Sequence, residues 1–235
     1  VGIYAHAFRI MDAANQLAYL FAILLLPIFS KMIKEKQPLF PMIKMPLSLL
    51  LSATYILAIG SLMYSFELMD LLYFDKIKES AAVLSVLIFG TVAVASSYVF
   101  GTLLTANGNL KILIGIAAFS MMLSFTLNIL LIPKYFALGA AIANVSALFS
   151  SAAMHLIFAY KQLNIQFTRK FIFQIAVFAV LIPVLAFLTN SLSNNWLINM
   201  GAFVGIALLI SFVVGLFDLR QMYNILFHYE KVGES

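Results

Sequence analysis

Seven apolar runs follow one another along the chain, at roughly 3–29, 47–66, 81–104, 112–132, 138–160, 171–188 and 196–217. Each is long enough to cross about 30 Å of hydrocarbon as a helix. Polar residues gather in the short segments between them. This alternation predicts an all-α polytopic membrane bundle of about seven transmembrane helices, with no soluble domain. Two further stretches, Ser65–Phe74 and Asp218–Glu230, mix apolar and charged residues and predict helices lying along the membrane surface. Pro27 and Pro183 fall inside runs, where a lost backbone hydrogen bond predicts a kink.

Composition makes the membrane reading firm. The chain is 64% hydrophobic and 10% charged, with mean hydropathy +1.06, whereas a soluble domain carries about 25% charged residues. The 22 Phe and 10 Tyr suit lipid-facing and interfacial positions. Cysteine is absent, which excludes disulfides, thiolate metal sites and cysteine nucleophiles. The first residue is Val, already at the edge of a run, so the sequence is expected to be a fragment lacking an N-terminal part. No signal peptide is recognisable.

The net charge of +5 could suggest a nucleic-acid partner, but its distribution has a topological explanation. Turns on one side receive Lys31, Lys34, Lys36, Lys44, Lys111, Lys161, Arg169, Lys170, Arg220 and Lys231; turns on the other receive Lys76, Lys78 and Lys134. The positive-inside rule places the first side in the cytoplasm, with the visible N-terminus outside and the C-terminus inside.

Against this background Arg9 and Asp12 stand out, because they lie within the first run. A charge at the centre of a span costs roughly 2.5–3.5 kcal/mol on insertion scales and marks a candidate functional site. On a helical projection, Tyr4, Arg9, Asp12, Asn15, Gln16 and Tyr19 fall within an arc of roughly 140°. Lipid cannot satisfy such a stripe, so protein or water must lie beside it. Two readings follow. In one, Arg9 and Asp12 neutralise each other as a structural ion pair at i and i+3. In the other, Tyr4, Arg9, Asp12, Asn15 and Gln16 line a substrate cavity, and the planar guanidinium of Arg9 meets an anionic group such as pyrophosphate. Asp12 would orient Arg9 when the cavity is empty.

Other polar residues in the runs read as structure. His6 and His155 fit hydrogen-bonded positions better than proton relays, and His228 belongs to the amphipathic tail. Asn128, Asn144 and Gln174 are expected to hydrogen-bond between helices, and Gly139, Ala143, Ala147, Gly201 and Gly205 to permit close helix approach. No metal site, cofactor motif or catalytic residue is recognisable: there is no HExxH, P-loop or GxSxG, and no acid cluster in a large outer loop.

Three stretches resemble the multidrug/oligosaccharidyl-lipid/polysaccharide exporter superfamily, in its polysaccharide-exporter branch. They are VGIYAHAFRI at Val1–Ile10 followed by LLLPIFSK at Leu24–Lys31, GTLLTANGNLK at Gly101–Lys111, and LLIPKYFALGAAIAN at Leu130–Asn144. In the last, Phe136 stands where the family pattern usually has glycine, so this turn must be made without one. The resemblance covers most of 1–160 and implies half of a fourteen-helix exporter fold. Residues 1–160 would supply five spans of the second lobe. Residues 161–235 would supply two further spans and a cytoplasmic amphipathic tail, and the N-terminal lobe would be absent. The implied function is a flippase, not an enzyme. It would move polyprenyl-pyrophosphate-linked oligosaccharide across the bacterial inner membrane by alternating access, for O-antigen (lipopolysaccharide), capsule or other surface polysaccharide synthesis. Implied partners are the lipid-linked oligosaccharide, membrane lipids, a polysaccharide polymerase and glycosyltransferases. Arg9 matches the family's arginine in this helix; Asp12 has no assigned counterpart. The alternatives are a drug or lipid II exporter of the same superfamily or, from a different class, a membrane-embedded polymerase or acyltransferase.

Overall fold

The computed structural model describes residues 2–216, apart from the side chain of Leu17. The predicted tail at Asp218–Glu230, with Arg220, His228 and Lys231, lies outside the described residues. Eight helices follow one another: α1 (Gly2–Lys34), α2 (Phe40–Met63), α3 (Ser65–Leu72), α4 (Ile77–Leu87), α5 (Gly90–Ala106), α6 (Leu110–Leu163), α7 (Arg169–Thr189) and α8 (Trp196–Val213). Among the described residues there is no strand.

Helix α6 resolves into two spans. At 54 residues a straight helix would be about 81 Å long, far beyond the hydrocarbon core. It is not straight. Phe136 has φ 52° and ψ −127°, close to the first central residue of a type II′ turn, the mirror image of type II. A Cβ on Gly139 would strike the carbonyl of Leu131, lying 2.6 Å from its carbon. Residues eight apart in a continuous helix are separated by about 12 Å, so the chain doubles back here. The turn is made without glycine at its crux, and Gly139 supplies the room for the returning limb. With α6 counted as two limbs, 110–135 and 137–163, and α4 with α5 forming one apolar stretch, Ile77–Ala106, the seven predicted spans are present.

Boundaries differ from expectation: α1 runs on to Lys34 and α2 begins at Phe40, before the predicted 47. The third run is interrupted at residues 88 and 89, where short i→i−3 bonds join Phe89 N–H to Val86 and Thr91 N–H to Ile88. A Cβ on Gly90 would come 2.9 Å from Leu148 and 3.1 Å from Met11, so the break sits where three elements converge. The predicted surface segment is α3, a separate short helix ending at Tyr73 in extended conformation.

Side-chain contacts show which helix ends lie together. At one end, Phe40 packs edge-on against Phe167 and Phe171, and Gln174 Nε2 donates to the carbonyls of Val214 (2.8 Å) and Gly215 (3.1 Å). At the other, Tyr64 meets Trp196, His6 stacks on Tyr73, and Asn144 Nδ2 donates to Tyr4 Oη at 2.8 Å. This is the alternating arrangement the loops predict. Among the described residues the first end carries Lys31, Lys34, Lys36, Lys44, Lys111, Lys161, Arg169 and Lys170 beside the single acid Glu35. The second carries Lys76, Lys78 and Lys134 beside Glu67, Asp70, Asp75 and Glu79.

Apolar packing forms two clusters. One joins α1, α2, α5, α6 and α7 with Phe203 and Ala207 of α8, around Phe29, Phe100, Phe171 and Phe203. The other joins the start of α1 to α3, α4 and the second limb of α6, around Met11, Met69, Leu84 and Ala141. Lipid tails solvate apolar side chains as well as protein does, so these contacts stabilise through close van der Waals fit. Two packing expectations fail. A Cβ on Gly201 or Gly205 would meet nothing within 4 Å, so these glycines do not mediate close approach among the described residues. Asn128 bonds within its own helix, to the Ser124 carbonyl at 2.8 Å, because the first limb of α6 has few neighbours. Asn144 and Gln174 do join separate helices, as expected.

Candidate functional site

One face of α1 is left uncovered. Arg9, Asp12, Ala13, Gln16, Tyr19, Leu20, Ile23, Leu24 and Pro27 are exposed, at the three- and four-residue spacing of a single helical stripe. The opposite face packs inward through Ala7, Met11, Ala18, Ala22, Leu25 and Phe29. The stripe changes character along its length: charged and amide groups occupy the first four turns, apolar groups the rest.

Between this helix, α5 and the second limb of α6 lies a cleft of about 440 Å³. Asp12, Asn15, Gln16 and Tyr19 of α1 line it, facing Tyr98 of α5 and Asn144 of α6. A second hollow, also about 440 Å³, shares Tyr19, Val94, Tyr98 and Leu148 with the first and continues it past Ser97, Thr105, Ser151 and His155. The groove therefore follows α1 from Phe8 to Leu26, about 27 Å at 1.5 Å per residue. That is close to the thickness of the hydrocarbon core.

The sequence-predicted residues divide. Asp12, Asn15 and Gln16 line the cleft. Tyr4 sits beside it and accepts the hydrogen bond from Asn144, pinning α1 to α6 at the polar end. Arg9 is exposed three residues before Asp12 and is not part of the lining. Among the described residues Arg9 and Asp12 make no ion pair with each other, so the structural-pair reading has no support. His6 is held in place, with its ring 3.8 Å from that of Tyr73 and Nδ1 3.3 Å from Ser80 Oγ. Among the described residues no cluster of metal-ligating side chains occurs.

Tyr98, Asn144 and His155 line the groove but were not part of the predicted site. They belong to spans 80 to 140 residues away, and a helical projection of α1 cannot bring them in. The polar run Ser96–Tyr98 within an apolar span was the available signal for Tyr98.

Fold and groove together define a class: a polytopic helical membrane bundle with a polar track at span depth. Comparison with known proteins agrees at that level. No family model matches the chain, and no curated protein sequence matches it. Among solved structures the chain is similar to the lipid II flippase MurJ in its inward closed conformation, with a TM-score of 0.74 and 18% identity. The likeness covers 91% of this chain and 46% of that one, so the chain spans about half the length of the flippase it matches. At this identity the likeness shows the fold.

Proposed function

We propose that this chain forms one lobe of a flippase that moves a polyprenyl-pyrophosphate-linked oligosaccharide across the bacterial inner membrane. The observation that carries the reading is the polar groove on α1, α5 and α6, at span depth and open to one side, in a fold like that of a lipid-linked substrate flippase. The cargo's glycan and pyrophosphate need a polar path across the bilayer, while its prenyl chain stays in lipid. A groove open along one face supplies half of such a path, and a facing bundle supplies the other half. Alternating access then requires only that the two bundles rock against each other.

In this reading residues 1–160 build the cavity wall. Residues 161–235 add two peripheral spans and a tail on the basic side, which is cytoplasmic by the positive-inside rule. The cargo is a precursor of O-antigen, capsule or a related surface polysaccharide, made by glycosyltransferases and consumed by a polymerase. The protein is a transporter, not an enzyme. Arg9, exposed beside the groove, contacts the pyrophosphate. In cells producing the complete protein, Arg9→Ala is expected to abolish surface polysaccharide at normal membrane abundance. Arg9→Lys is expected to keep part of the activity, because the charge survives while the planar fork is lost. Full activity of Arg9→Ala would end the phosphate-contact role.

A second reading, export of lipid II itself, is favoured by the likeness to MurJ. Rescue of peptidoglycan precursor flipping in cells depleted of their own lipid II flippase would select it over the first.

A further inference from the structure

The polar end of the groove has the wrong chemistry for a phosphate and the right chemistry for a sugar. It offers the carboxylate of Asp12, the amides of Asn15, Gln16 and Asn144, and the phenols of Tyr19 and Tyr98. Among the described residues lining it there is no lysine or arginine. Oδ1 of Asn15 is buried with no hydrogen-bond partner, an acceptor waiting for a donor. The Nδ2 of Asn144 gives one of its two N–H groups to Tyr4, and its side-chain carbonyl oxygen can accept. Further along, Nδ1 of His155 lies 2.9 Å from the Ser151 carbonyl oxygen. A carbonyl only accepts, so in the neutral ring Nδ1 holds the proton and Nε2 presents a lone pair. That nitrogen lies on the side of Gly101, within the groove wall.

The track thus sets acceptors beside amide and phenol donors, and the one charged side chain among the described residues of the cleft is acidic. Pyrophosphate carries acceptors and negative charge and would be repelled by Asp12. A carbohydrate brings hydroxyl donors for the acceptors, and its C–H faces suit the Tyr19 and Tyr98 rings, whose centroids are 6.0 Å apart.

We propose that this cleft is a carbohydrate subsite. Asp12, Asn15 and Asn144 accept from sugar hydroxyls, Tyr19 and Tyr98 contact the sugar rings, and the phosphate end is kept outside, towards Arg9. The assignment rests on the flippase reading for its cargo but concerns which part of the cargo goes where.

The test uses the complete protein in liposomes, a fluorescent polyprenyl-pyrophosphate oligosaccharide, and two competitors: the free oligosaccharide and inorganic pyrophosphate. Asp12→Asn is isosteric and sits at an exposed position. It is expected to weaken inhibition by free oligosaccharide about 10-fold or more, as for loss of a charged hydrogen bond. Inhibition by pyrophosphate should be unchanged or stronger, since a repelling charge is gone. Asn15→Leu should act in the same direction, and Arg9→Ala should show the reverse pattern. Equal weakening by both competitors in Asp12→Asn, or no change with oligosaccharide, overturns the subsite. If the wild-type protein translocates no lipid-linked glycan, the flippase reading fails by itself. Thermal-shift binding of the free oligosaccharide, wild type against Asp12→Asn, then still decides the subsite, with equal shifts counting against it.

Discussion

The two limbs of α6 are both apolar runs of span length and have opposite fates. In the first, Met121, Met122 and Phe125 are 76%, 70% and 68% exposed, and Ile116 alone among the described residues of that limb is buried. The second buries Gly139, Ala141, Ala143, Ala147, Ala152 and Ala159. It also brings Asn144 and His155 to the groove. Both limbs are apolar enough to span a bilayer. What separates them is side-chain size. Bulky residues lose nothing by facing lipid, while small ones let backbones approach until van der Waals contact replaces lipid. A limb that packs closely can hold polar groups against a neighbour, so the groove is built on the small-residue limb.

This contrast can be broken most severely at the hinge. Gly139→Val puts a branched side chain against the Leu131 backbone, which has no rotamer by which to yield. The expected cost is about 3 kcal/mol or more, seen as loss of folded protein in detergent. Ala143 is fully buried on the packed limb, so Ala143→Leu should cost about 1–3 kcal/mol by overpacking. Phe136→Gly should act the other way. Its φ of 52° stores strain of about 1–3 kcal/mol. Relief, less the extra chain entropy of glycine, should stabilise by about 1 kcal/mol and raise the thermal midpoint. Phe125→Leu on the lipid-facing limb should stay within about 0.5 kcal/mol of wild type. If Phe125→Leu and Ala143→Leu destabilise equally, the distinction between the limbs is wrong.

The sequence disclosed much of this fold because the membrane imposes strong local rules. Every backbone group in hydrocarbon must be satisfied internally, so an apolar run of span length becomes a helix whatever its neighbours. The charge asymmetry between turns likewise follows from the order of residues. The candidate site was half legible. Helical periodicity placed Asp12, Asn15 and Gln16 on a common arc, and the structure puts all three in one cleft. The same periodicity included Arg9, which the structure leaves outside the lining. An arc of 140° is wider than the seam between two neighbouring helices.

Sequence alone determined the number of spans, their alternation across the bilayer and the placement of a polar stripe on α1. Those depend on hydropathy, helical period and loop charge, all properties of residues near one another in the chain. Only the tertiary structure decided what the stripe faces. It brought Tyr98, Asn144 and His155 beside α1, bonded Asn144 to Tyr4, and put Asp12 but not Arg9 in the lining of the cleft. It also formed the hairpin at Phe136 through the close approach of Gly139 to Leu131. These outcomes turn on which small residues let which helices touch. That is a matter of mutual shape between distant segments, to which hydropathy is blind.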